Sequence, residues 1–199
     1  MIDVTDIKNY ERTEEELQIF WLFCIFTAGR HADFAARVLE KFLRIKPEGM
    51  TPFAWLEELD KANAIHTTLK ANRVGQYHRI QRAIKESLSL DLATATVDEL
   101  QKVFGVGPKT ARMFILYTRR YAEVAVLDVH ILRWLREEIG FSGFPKSTPQ
   151  SRNNYETIEA IFIELAKEKF PGISIADVDL LLWSRMSGRL VEDFNPMED

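Results

Sequence analysis

Lys109 and Asp128 are the two side chains whose surroundings suit covalent chemistry. Lys109 ends the run Phe104-Gly105-Val106-Gly107-Pro108-Lys109, and Asp128 sits within Val126-Leu127-Asp128-Val129-His130. They lie 19 positions apart, room for one short helix and a return loop. Gly105 and Gly107 permit backbone dihedrals closed to other residues and let another backbone come close. Pro108 suits the first turn of a helix, where its missing N–H costs nothing. That helix offers free N–H groups and a partial positive charge to an anion, such as a nucleic-acid phosphate. A lysine in the first turn sits against the positive end of the dipole, which favours the neutral amine, and burial favours it further. A neutral amine is the nucleophile that forms Schiff bases. The plainer reading of Lys109 is a solvated point charge on a phosphate. Asp128 is a good N-cap for the helix behind it, and capping would fix its carboxylate in place. Its apolar approach, Val124 to Leu127, puts that carboxylate at the edge of the core. His130, taken alone, reads as a structural histidine or a phosphate contact.

The elements that must position these residues are helices throughout, so the fold class is all-α. Thr96 caps a helix over residues 96–104, with Glu99 completing a capping box and Leu100, Val103 and Phe104 on its apolar side. Thr13 to Glu16 cap a very apolar helix running to Phe26. Further helices are expected over residues 31–45, 51–59, 76–88, 151–170 and 173–186, with Gly, Pro and Asn breaks between them. Residues 122–127 are too short a run to count as a strand. Trp21, Phe23 and Phe26 share one apolar helix and read as core.

The chemistry-bearing residues resemble the signature of the helix–hairpin–helix DNA glycosylase superfamily. The likeness rests on Gly105-Val106-Gly107-Pro108-Lys109-Thr110-Ala111 with Val126 to Ile131, and it spans nearly the whole chain. Phe23 to Arg30 resembles the family's segment before the groove. Phe144-Pro145-Lys146, the long helix with Tyr155 and Ile158, and Ile175 to Gly188 resemble the compact 8-oxoguanine DNA glycosylase/lyase family of archaea and some bacteria. The resemblance implies one glycosylase domain over residues 1–199, built from two helical lobes around a DNA-binding cleft. It implies Lys109 as Schiff-base nucleophile and Asp128 as the carboxylate that supports base loss. Gly105, Gly107 and His130 match phosphate contacts. The carbonyls of Gln101, Val103 and Val106 match positions that often hold a sodium or potassium ion. Trp183 matches an aromatic that stacks on the extruded base. Two positions depart from the pattern. Gly29 stands where many relatives carry Asn or Gln as a wedge, which leaves Arg30 or His31 to fill the gap. Arg189 follows Gly188, and the acidic run over residues 190–199 supplies no counterpart to the terminal lysine of relatives.

Composition fits this class. Hydrophobic residues make up 46% of the 199 residues, ample for a core. No apolar run reaches membrane-span length, and no basic-then-apolar leader opens the chain. The single cysteine, Cys24, reads as inert core; it excludes an intrachain disulfide and a four-cysteine iron–sulfur cluster. Four scattered histidines make no zinc site. A net charge of −4 is the wrong sign for a simple nucleic-acid binder. Its distribution is not: residues 101–136 hold seven Lys/Arg, Arg112 among the expected phosphate contacts, against two acids. Residues 70–85 add five cations and no acid, while both ends are acidic. A basic cleft with acidic flanks follows, and its affinity for DNA should fall steeply with salt.

The expected activity is a bifunctional glycosylase and lyase acting on double-stranded DNA with 8-oxoguanine or an abasic site, as a cytoplasmic, nucleoid-associated monomer. Two alternatives are the same chemistry on an oxidised pyrimidine or other base, and a non-catalytic DNA-binding module. A plain binder needs neither Lys109 nor Asp128 at these positions.

Overall fold

The computed structural model describes residues 3, 7–140 and 142–188. Among them run ten helices and no strand: α1 (Glu14–Thr27), α2 (Ala32–Leu43), α3 (Pro52–Lys61), α4 (Ile65–Ala71), α5 (Tyr77–Ser87), α6 (Val97–Leu100), α7 (Pro108–Thr118), α8 (Val129–Ile139), α9 (Arg152–Lys169) and α10 (Ile175–Ser187). None is long and apolar enough to cross a membrane. The segment 189–199, expected to be an acidic tail, lies outside the described residues.

α1 is the axis of the N-terminal half. Thr13 and Glu16 close its capping box, and every residue from Phe20 to Phe26 is buried. A helix that is apolar all round must be covered all round. Here α2, α3, α5 and α7 cover it. Phe114 of α7 stacks on Phe20 and meets Trp21 edge-on. In the C-terminal half, α10 packs on α7, α8 and α9. α7 therefore touches both groups, and one continuous core runs from α1 to α10.

Two elements differ from the sequence expectation. α6 is a single turn that ends at Leu100, not at Phe104. Beyond it the chain tightens into i→i−3 bonds, Lys102 N–H to Glu99 and Val103 N–H to Leu100. Glu86 of α5 takes the Phe104 N–H at 2.6 Å, and Arg82 lies 4.1 Å over the Phe104 ring. Phe104 is thus drawn outward, 43% exposed, rather than lining the apolar side of a helix. α4 is the second difference. Its seven residues lie between Asn-containing breaks, and only Ile65 and Leu69 are buried, too little periodicity to read.

Candidate active site

The turn between α6 and α7 is built from α5. Gly105 has φ +76°, and a Cβ there would meet Arg79 Cγ at 2.9 Å. Only glycine fits. Arg79 in turn donates from Nη2 to the Ile25 carbonyl at 2.8 Å and from Nε to Gln76 at 2.7 Å, which ties the turn to the end of α1. Gly107 differs from the sequence reading. Its φ of −91° is ordinary, and nothing lies within 4 Å of an added Cβ. What its missing side chain leaves is open space at the N-terminus of α7. Pro108 opens that helix, and Lys109 follows it half-buried, with no ion-paired carboxylate among the described residues.

Asp128 caps α8. Its Oδ1 accepts the N–H groups of His130 at 2.8 Å and Ile131 at 2.9 Å, and the residue is 9% exposed. The segment leading to it, residues 122–127, pairs with no strand, so side chains satisfy its backbone. Tyr155 Oη accepts from Leu127 N–H at 3.0 Å and donates to the Ala125 carbonyl at 2.8 Å. Glu159 accepts from Ala125 N–H at 2.7 Å, and Thr148 donates to the Leu127 carbonyl at 2.8 Å. Arg112 belongs to this scaffold and not to a phosphate-binding face, a correction to the sequence expectation. It is 5% exposed, pairs with Glu159 at 2.6 Å and lies 4.4 Å over the Tyr155 ring. A carboxylate already bonded to a buried N–H captures the nearest guanidinium, since either charge left alone in the core is costly.

Lys109 and Asp128 line one cavity of about 510 Å³, together with Met113 and Tyr117 of α7, His130 of α8, and Asp179 and Trp183 of α10. Arg30 and His31 lie on its rim. A second, open groove of about 600 Å³ runs past Gly29, Arg30, His31, Gly105, Gly107 and Thr110. Lys109 borders both. Lys109 therefore stands where the groove and the pocket meet. Of the wedge candidates, Gly29 has φ +71°, His31 is the exposed N-cap of α2, and Arg30 donates to the Val74 carbonyl at 2.7 Å. The Val103 carbonyl accepts the Val106 N–H at 3.0 Å, while those of Gln101 and Val106 take no backbone donor among the described residues.

Asp179 and Tyr117 are site residues that the sequence reading did not single out. Asp179 is 4% exposed, and its Oδ2 accepts the Tyr117 hydroxyl. Burial, the largest effect, and the nearby Asp128 push its carboxyl up to about 7, against the Tyr117 bond and Lys109. Burial and Asp179 likewise raise the Tyr117 phenol. The available signal was an acid among Val178, Leu180, Leu181 and Leu182, one turn before Trp183 on the same helix face.

The expected basic cleft is narrower than the charge count. Arg82, Lys85, Arg120 and Arg133 pair with carboxylates, and Arg119 and Arg136 bond backbone carbonyls. Lys70, Arg73, Arg79, Lys102 and Lys109 have no ion-pair partner among the described residues, and Lys109 borders the groove.

The family model described as 8-oxoguanine DNA glycosylase (Ogg-HhH) matches residues 2–170. The 8-oxoguanine DNA glycosylase/AP lyase of Methanocaldococcus jannaschii is 31% identical over 207 residues, covering 95% of this chain and 89% of that protein. Its counterpart from Korarchaeum cryptofilum is 29% identical over 196 residues, covering 92% and 85%. The crystal structure of the M. jannaschii glycosylase/lyase with a 15mer DNA containing 8-oxoguanine superposes with a TM-score of 0.66 at 22% identity, covering 91% of this chain and 85% of that one. At that identity the likeness speaks for the fold. With a family model over most of its length and a relative above 30% identity, the chain belongs to the 8-oxoguanine DNA glycosylase family.

Proposed function

We propose that this protein is a bifunctional DNA glycosylase and AP lyase that removes 8-oxoguanine from double-stranded DNA. The observation that carries this is the meeting of Lys109 and Asp128 in one cavity, at the starts of two helices, in a member of this family. The open space at Gly107 gives a backbone phosphate access to the α7 N–H groups. The damaged nucleotide leaves the stack, because its sugar carbon is out of reach within it. Asp128 stabilises the positive charge that grows on the sugar as the glycosidic bond breaks. The base departs with the bonding electrons. The Lys109 amine forms the new bond to that carbon, and ring opening yields an imine. Loss of a proton from the neighbouring carbon then expels the 3′ phosphate, which nicks the strand. Trp183 offers its ring to the extruded base, and stacking of this kind is worth about 1–3 kcal/mol. The carbonyls of Gln101 and Val106, free of backbone donors, fit a sodium or potassium ion at the turn, which would steady the phosphate-binding N–H groups.

Borohydride trapping on 8-oxoguanine duplex tests the reading. Wild type should form a covalent adduct, and Lys109→Gln should bind the duplex without forming one. An adduct that persists in Lys109→Gln removes Lys109 as the nucleophile. Faster excision of thymine glycol, uracil or an alkylated purine than of 8-oxoguanine would overturn the base assignment and leave the lyase reading standing.

A further inference from the structure

Extruding a nucleotide leaves a gap in the duplex, and of the three expected wedge positions only His31 has an untethered side chain, a polar one. Gly29 has no side chain. Arg30 is tethered to the Val74 carbonyl. His31 holds the N-cap position of α2 with no side-chain capping bond, and its polar side chain belongs to a residue that borders both pocket and groove. One turn further along stands Phe34, an aromatic ring left 45% exposed. It follows His31 by three residues, a spacing that puts the two on one side of α2. Arg30 and His31 border both pocket and groove, and Phe34 stands just outside their linings. The opposite side, with Ala35, Ala36, Leu39 and Phe42, is buried. The Arg30 guanidinium lies 5.8 Å from the centre of the Phe34 ring. Phe34 therefore combines an exposed flat apolar face, a cation beside it that has no ion-paired carboxylate among the described residues, and a place next to Arg30 and His31, which border the reacting site. Water is a poor partner for that face; a base stack flanked by phosphates is a good one.

We infer that Phe34, steadied by Arg30, is the side chain that enters the stack beside the extruded nucleotide. The inference rests on the glycosylase reading. Apolar wedges of this kind push between base steps and hold them apart. Because every base presents a π face, the ring supports extrusion without reading the base opposite. It makes the gap stable for the time that Lys109 needs.

The test uses wild type, Phe34→Ala, Phe34→Trp and Tyr121→Ala, the last at an exposed aromatic between α7 and α8, away from α2. Single-turnover cleavage is measured on an 8-oxoguanine duplex and on the lesion strand alone, with 2-aminopurine next to the lesion to report unstacking. Phe34→Ala should lower the duplex-to-single-strand ratio by about 10-fold and blunt the fluorescence change, with no loss of melting temperature. Phe34→Trp should restore both, and Tyr121→Ala should match wild type. Equal losses on both substrates, or duplex cleavage by Phe34→Ala at the wild-type rate, would overturn the wedge. A wild type that excises no base overturns the glycosylase reading instead, and does so before any variant is compared.

Discussion

Asp128 and Asp179 share a pocket with one amine, and their surroundings treat them differently. Asp128 takes two helix N–H groups, whereas Asp179 takes a buried phenol. Asp128→Asn should lose base excision by about two orders of magnitude or more while keeping most stability, since Asn also caps helices well. Single-turnover rates and melting curves together check this. A collapsed melting temperature with normal activity per folded molecule would reduce Asp128 to a cap. For Asp179 the sign runs the other way from a salt-bridged acid. Its carboxyl is raised to about 7, so the folded state holds the proton more tightly than the unfolded chain does. That contribution to stability is complete below the ordinary Asp range and is lost as pH rises through about 7. Asp179→Asn keeps an acceptor for Tyr117 and cannot ionise. Its melting temperature relative to wild type should rise between about pH 5.5 and about pH 8.5. A flat difference would show that Asp179 does not titrate there.

The turn before α7 is held by one helix, α5, through Arg79, Arg82 and Glu86. Its two glycines serve different ends, and thermal unfolding with DNA titration separates them. Gly105→Ala combines a left-handed backbone with a 2.9 Å clash and should cost about 2 kcal/mol or more in stability. Gly107→Ala keeps an ordinary φ and costs only the poorer cap, about 0.5–1 kcal/mol. Yet it should weaken DNA binding, because the added methyl occupies the open space in front of the α7 N–H groups. Sequence made most of this element legible: the glycines, Pro108, the Thr96 capping box and the Asp128 cap are all local signals. The short α6 was not, because what ends it is Glu86, 18 positions away from Phe104. α4 was hidden by its length. Asp179 was hidden for another reason. Nothing local says that an acid on an apolar helix will face a tyrosine from α7.

Across the whole molecule, charge counting along the chain overstated the cleft. Arg112 is the clearest case. It falls in a stretch with a net excess of cations, but Glu159, 47 positions on, determines its place. Arg112→Met should leave the salt dependence of DNA binding unchanged and cost about 3–5 kcal/mol in stability, since it strands Glu159 in the core. Lys102→Ala should do the reverse, lowering the slope of log affinity against log salt by about 1 with little change in melting temperature. Equal slopes for Lys102→Ala and wild type would remove that lysine from the footprint. The continuous core has one more consequence. Helices from both ends of the chain wall the reacting pocket, with α7 packed between them, so among the described residues opening the two halves around a substrate would break a shared core. The deformation that brings a base to Lys109 then falls on the nucleic acid. Discrimination becomes partly a property of the substrate: the weaker the pairing and stacking of the target nucleotide, the faster its removal, and a lesion set opposite a mismatched base should outrun the same lesion in a well-paired site.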